Sequence, residues 1–123
     1  MSERLGLVVE DESDLRGLFT LILEEAGFKT TAVYSVSTAL KVLEEQVPDI
    51  VTLDMKLPGG NGREVLRKIR EDPRMIDTRV VVVTAFADED EELHSKADLV
   101  LMKPVGVKQL RDLIGRLTGQ MEK

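Results

Sequence analysis

The sequence predicts an α/β fold built on a single five-stranded parallel sheet with helices on both faces. Three observations carry this. Short apolar runs rich in β-type residues alternate five times with amphipathic helical stretches. No hairpin signal joins one run to the next, so right-handed crossovers through helices are the natural connections. The third and fourth runs, Ile50-Val51-Thr52-Leu53 and Val80 to Val83, are apolar almost throughout, as suits strands covered on both faces.

The first strand is Leu5 to Val9, and Leu15, Leu18, Phe19, Ile22, Leu23 and Ala26 then mark one face of a helix. Gly27 closes that helix, because glycine takes the left-handed conformation without a Cβ penalty. Phe28 to Thr31 is a short second strand, and Val36, Ala39, Leu40, Leu43 and Val47 form the next helical face. Pro48-Asp49 breaks the chain before the third strand. Asn61 and Glu64 have capping-box spacing ahead of a third helix with Val65, Leu66 and Ile69 on its buried side, and Asp72-Pro73 ends it. Asp88 to Ala97 is an acidic fourth helix with Leu93 as its main apolar residue. Leu99 to Met102 is the fifth strand, and Val107, Leu110, Leu113, Ile114 and Leu117 stripe a closing helix.

At 123 residues and 42% hydrophobic, the chain fits one domain that buries roughly two thirds of its unfolded surface. The absence of cysteine excludes disulfides, thiolate-bound zinc and a thiol nucleophile, and fits a cytoplasmic location. Met1-Ser2-Glu3-Arg4 and the apolar run behind it are too short for a signal-peptide core or a membrane span. A formal charge of −6 argues against direct nucleic-acid binding, which needs an excess of Lys and Arg.

In open parallel sheets ligands bind beyond the carboxyl ends of the strands, so the residues just after each strand carry the functional information. Glu10-Asp11 follows strand one, Asp54 strand three, Thr84 strand four and Lys103-Pro104 strand five. Singly, Asp11 could cap a helix, Asp54 could open a turn and Lys103 could be a solvated strand end. Jointly they assemble three acids, a hydroxyl and a cation at one end of one sheet. Clustered carboxylates are costly to desolvate and call for a hard cation, magnesium or manganese rather than zinc. Between that cation and Lys103, an Asp54 oxygen could attack phosphorus in line while Thr84 donates to a phosphoryl oxygen.

The segments V-V-E-D-E, L-D-M-K-L-P-G-G-N-G, V-V-V-T-A and L-M-K-P resemble the signature segments of bacterial response-regulator receivers, and the resemblance covers essentially the whole chain. It implies a flavodoxin-like sheet in the order 2-1-3-4-5 and a single receiver domain over residues 1–123 with no output domain. It implies a phosphoryl-accepting switch in which Asp54 takes the group from the phosphohistidine of a sensor histidine kinase or phosphotransfer protein. Glu10, Asp11, Asp54 and the Met55–Lys56 backbone would hold magnesium, and Thr84 and Lys103 would read the phosphoryl group. The Lys103–Pro104 peptide would be cis. Such a domain is a signalling phosphoacceptor that catalyses its own magnesium-dependent phosphorylation and dephosphorylation, and its partner is a downstream protein or an output domain.

Two features depart from the family pattern. Val100 stands where receivers commonly carry an aromatic residue, and the stretch from Thr84 to Lys103 is short by nearly a helical turn, which predicts a short fourth helix. Lys56 and Phe86, two residues past Asp54 and Thr84, are expected to flank the path of attacking water. His94 and Tyr34 fit no chemical pattern, and the basic run Arg63, Arg67, Lys68, Arg70, Arg74 and Arg79 reads as a solvated helix face.

Three competitors fare worse. A flavin module would need a phosphate-friendly loop where Glu10 and Asp11 stand. An aspartate-nucleophile phosphatase would carry a second Asp at the position of Lys56. A pure interaction module would have no reason to keep all five site residues.

Overall fold

The computed structural model describes residues 3–85 and 91–121. Strands β1 (Arg4–Val9), β2 (Phe28–Val33), β3 (Ile50–Asp54), β4 (Arg79–Thr84) and β5 (Leu99–Met102) alternate with helices α1 (Ser13–Glu25), α2 (Val36–Glu45), α3 (Gly62–Glu71), α4 (Glu91–Lys96) and α5 (Val107–Met121). All strand pairs in the sheet are parallel, in the order β2-β1-β3-β4-β5. The chain builds outward from β1 to β2, then crosses back to β3 on the other side. That reversal places the switch point between β1 and β3.

Period-two alternation divides the core. Leu7, Val9, Val51, Leu53, Val80 and Val82 face α2, α3 and α4, meeting Leu43, Leu66, Ile69 and Leu93. Val8, Ile50, Val81, Val83 and Leu101 face α1 and α5, meeting Phe19, Ile22, Leu23, Leu110 and Ile114. β3 and β4 are buried on both faces because helices cover both, which is why their sequences read as unbroken apolar runs.

Gly27 closes α1 with φ +98°, as expected. α2 carries a full capping box that the pattern of apolar residues does not reveal: Thr38 N–H donates to Ser35 Oγ and Ser35 N–H donates to Thr38 Oγ1. The box expected at α3 is one-sided. Asn61 Oδ1 accepts from Arg63 N–H (2.9 Å), while the Glu64 carboxylate sits over Gly60. Val47 lies outside α2 and is exposed, since Pro48 keeps its predecessor from helical geometry and Gln46 is already extended. Val107 opens α5 and is likewise exposed rather than part of its buried stripe. Pro58-Gly59 makes a minimal hairpin, an antiparallel ladder of Lys56–Leu57 with Gly60–Asn61 inside the β3–α3 connection.

The described part of α4 is Glu91–Lys96, with Leu93 buried, and the Asp88–Asp90 stretch of the expected helix lies outside the described residues. The basic run is not simply a solvated face. Arg67 forks onto Glu92 of α4 through Nε and an Nη nitrogen (2.6 and 2.8 Å), and Arg63 and Lys96 approach the same carboxylate at 3.3 and 3.0 Å. Arg70 donates to the carbonyls of Lys96 and Thr78 and pairs with Asp98, whose carboxylate also accepts from Val80 N–H. Arg74 pairs with Asp72 and donates to Leu43 O at the end of α2. The acids that recruit Arg63, Arg67, Arg70 and Arg79 lie 19 to 29 residues away in sequence, beyond the reach of helical spacing rules.

Hydrogen bonding to Arg67 and Lys96 depresses the Glu92 carboxyl from an ordinary 4.5 to about 2. A carboxyl lowered in the folded state contributes stability that is complete above its unfolded value and fades as pH falls toward the folded one. Glu92→Gln should therefore lose stability at pH 6, and its deficit should close between pH 4.5 and 2 in urea unfolding. A deficit unchanged over that range would mean that the carboxylate's charge does not hold α4.

Candidate functional site

The site gathers at the carboxyl end of the sheet because neighbouring strands end in register. Val9 pairs with Leu53, Asp54 with Val83 and Thr84 with Met102, so Glu10, Asp54, Thr84 and Lys103 all emerge at one level. Lys103 N–H donates to Thr84 O (2.8 Å), and the Lys103–Pro104 peptide is cis, as the family resemblance implies.

Glu10 has no exposed surface. Its backbone N–H donates to Val33 O (3.1 Å) and its Oε2 accepts from Glu12 N–H (3.1 Å). Asp54 is 5% exposed; Oδ1 accepts from Lys56 N–H at 3.3 Å and Oδ2 from the Lys103 ammonium at 3.1 Å. The same ammonium stands 3.1 Å from Glu10 Oε1, yet that oxygen makes no hydrogen bond of good geometry. Asp11 is exposed at the mouth, where it lines an open cleft of about 510 Å³ with Asp54, Lys56, Thr84 and Lys103. Phe86 lies outside the described residues.

Burial pushes the Glu10 carboxyl upward, and the Glu12 amide and Lys103 offset this only in part. Burial alone would favour neutral Lys103, but the close Glu10 carboxylate and the hydrogen-bonded Asp54 carboxylate outweigh it and hold the ammonium protonated above its ordinary range. One lysine shared between two buried carboxylates, with a third acid beside them, leaves negative charge in excess. Carboxylate oxygens of Glu10, Asp11 and Asp54 all lie within 4.8 Å of one another. An all-oxygen donor set with one buried oxygen lacking a hydrogen bond fits a hard divalent cation.

Two residues that shape the site were missed in the sequence. Gly62, the first residue of α3, approaches the chain so closely that a Cβ there would strike the Asp54 carbonyl and lie 2.8 Å from Met55 Cα. Its N–H donates to Met55 O at 2.7 Å. Arg16 donates from one nitrogen to Glu10 O (3.1 Å) and Asp11 O (3.2 Å). A cation in the first turns of α1, where the helix dipole favours acids, was the available signal for Arg16.

A doubly wound sheet with a carboxylate cluster, a hydroxyl and an ammonium at its switch point defines a class of small domains able to handle a phosphoryl group. The sequence profile of the response regulator receiver domain matches residues 7–115, and the chain belongs to that family. Phosphoacceptor switching in two-component systems, with histidine kinases as partners, is the family's known role. The phosphate regulon transcriptional regulatory protein PhoB of Escherichia coli is 34% identical over 113 residues, which cover 89% of this chain and 49% of that protein. The chain thus spans about half the length of the curated relatives it matches. A CheY-like receiver domain from Methylobacillus flagellatus shares 27% identity with a TM-score of 0.81, over 94% of this chain and 99% of that one. The receiver domain of sensor histidine kinase PA1611 from Pseudomonas aeruginosa matches at TM-score 0.81 and 24% identity, over 96% of this chain and 99% of that one. That structure has a magnesium ion in its active site cleft, and at this identity the likeness speaks for the fold.

Proposed function

We propose that Asp54 is the phosphoacceptor and that residues 1–123 work as one receiver unit. An Asp54 carboxylate oxygen attacks phosphorus of a phosphohistidine on a sensor kinase or phosphotransfer protein; the P–N bond breaks as the O–P bond forms, and the imidazole leaves with a proton from solvent. Lys103 follows the charge from the Asp54 oxygen to the phosphoryl oxygens, and the Thr84 hydroxyl donates to one of them. Glu10, Asp11, Asp54 and the Lys56 backbone would hold magnesium or manganese, which supplies charge neutralisation between the carboxylates and the phosphoryl group. These groups make the domain the catalyst of its own phosphorylation and of hydrolysis by water, whose approach the exposed Lys56 side chain narrows. Output goes to a protein target or a further domain, in the cytoplasm and without direct nucleic-acid contact by these residues.

The observation that carries the reading is a nearly buried Asp54 whose Oδ2 lies 3.1 Å from the Lys103 ammonium, beside two further acids. Incubation with acetyl phosphate and magnesium should add one phosphoryl group by prompt intact-mass measurement at mild pH, and Asp54→Asn should remain unlabelled. Equal labelling of both proteins would remove Asp54 from the role.

A further inference from the structure

We infer that Arg16 is a positioning residue for cation binding: its guanidinium holds the peptides of Glu10 and Asp11 in the orientation that presents their carboxylates to the metal. The inference rests on the acid cluster being a divalent-cation site. The connection from β1 to α1 is short, and it carries two of the three clustered acids. Three hydrogen bonds hold its first half: Glu10 N–H to Val33 O, Glu12 N–H to Glu10 Oε2, and Arg16 to Glu10 O. Asp11 projects into solvent, and the contact described for its peptide is the 3.2 Å bond from the same Arg16 nitrogen. Glu12, at the N-cap of α1, makes no side-chain cap that would stiffen the turn.

A guanidinium suits this task. Its terminal nitrogen carries two N–H groups in a fixed plane, so it can serve two carbonyls one residue apart, whereas a lysine ammonium is a mobile point charge. Its own position is fixed from the far side. Arg16 is half-buried, and its Cζ lies 6.0 Å from the ring centroid of Tyr34, the residue after β2, within cation–π range. Tyr34 is itself largely exposed, so its ring serves as a lid over the guanidinium and not as part of the core. β2, α1 and the acidic turn are thereby tied together at one side chain.

Arg16 also places a positive charge near the cluster, which alone would repel a divalent cation. The two effects have opposite signs, so variants separate them. If orientation dominates, Arg16→Gln and Arg16→Lys both weaken magnesium binding, by about tenfold, the lower end for groups that orient metal ligands. If charge dominates, Arg16→Gln binds magnesium more tightly and Arg16→Lys binds as wild type does.

The test is calorimetric titration of magnesium into the full chain, with thermal unfolding as a control on folding. Tyr34→Ala should reproduce part of the loss and Tyr34→Phe, which keeps the ring, should restore wild-type affinity; this pair also serves if an Arg16 variant folds poorly. Labelling by acetyl phosphate at saturating magnesium should return to within about twofold of wild type in every variant, because the defect is one of cation affinity. Unchanged or tighter binding by Arg16→Gln would overturn the inference, as would equal affinities for Tyr34→Ala and Tyr34→Phe. A wild type that binds no magnesium would overturn the inference together with the cation site. A wild type that binds magnesium but is not labelled would count against Asp54 alone.

Discussion

Lys103→Met is expected to destabilise the metal-free domain by about 3 kcal/mol at pH 7, with most of the loss recovered in saturating magnesium. The substitution keeps an unbranched stem and removes the ammonium that lies 3.1 Å from both Glu10 Oε1 and Asp54 Oδ2. Two nearly inaccessible carboxylates would then face each other with no cation between them. Removing one partner of a buried pair costs about 3–5 kcal/mol, and a quarter-exposed lysine side chain puts this case at the lower end. A cation that binds the proposed site in the folded domain and not the unfolded chain stabilises by mass action. The sign with pH follows from Glu10. Its carboxyl is already raised by burial, and a raised carboxyl gives up stability as pH rises through its ordinary 4.5. Loss of Lys103 raises it further, so the variant's deficit should be largest near neutrality and shrink below pH 4. Urea unfolding in chelator and in magnesium measures both. Equal stability of variant and wild type in chelator would show that solvent, and not Lys103, balances the acids.

Gly62→Ala should cost about 3 kcal/mol and impair labelling as well, whereas Gly59→Ala should cost about 1 kcal/mol and leave labelling intact. At Gly62 an added methyl carbon meets backbone, the Asp54 carbonyl and Met55 Cα, with Met55 Cε 2.9 Å away. Backbone cannot rotate aside as a side chain can, so α3 must move off the turn or the turn must carry Asp54 with it. Gly59 has nothing within 4 Å of such a carbon, and the cost there comes from its φ of +77° alone. Chemical denaturation and acetyl phosphate labelling of the two variants form the comparison. Normal labelling by Gly62→Ala would show that the turn tolerates displacement of α3.

The parts of this molecule legible in its sequence are those set by periodicity and by position after a strand. The four valines of β4 and the mostly apolar β3 announce double burial, and Glu10, Asp11, Asp54, Thr84 and Lys103 stand where the parallel-sheet rule says a ligand binds. Helix ends were less legible. Ser35 and Thr38 lack the acidic partner that marks the usual capping box, and Asn61 has that partner without using it. Arg63, Arg67 and Arg70 look like surface charge until the fold brings Glu92 and Asp98 to them. Arg16 and Gly62 act through backbone contacts, Arg16 by donating to carbonyls and Gly62 by lacking a Cβ. No spacing of side chains records such contacts.

The described part of α4, Glu91–Lys96, has Leu93 as its buried anchor, and its polar ties to α3 run through Glu92 and through the Lys96 carbonyl, which accepts from Arg70. An isolated helix of a few turns has little stability of its own and exists because of what it rests on. A surface helix anchored mainly by one apolar side chain and a few polar ties is the kind of element that opens at a free-energy cost below that of global unfolding. Thr84 stands seven residues upstream of Glu91 in the chain. A signal arriving there need not push anything through a rigid body. It has only to change how often a weakly moored segment is docked, and the grip of that mooring is graded by the ionic strength around it.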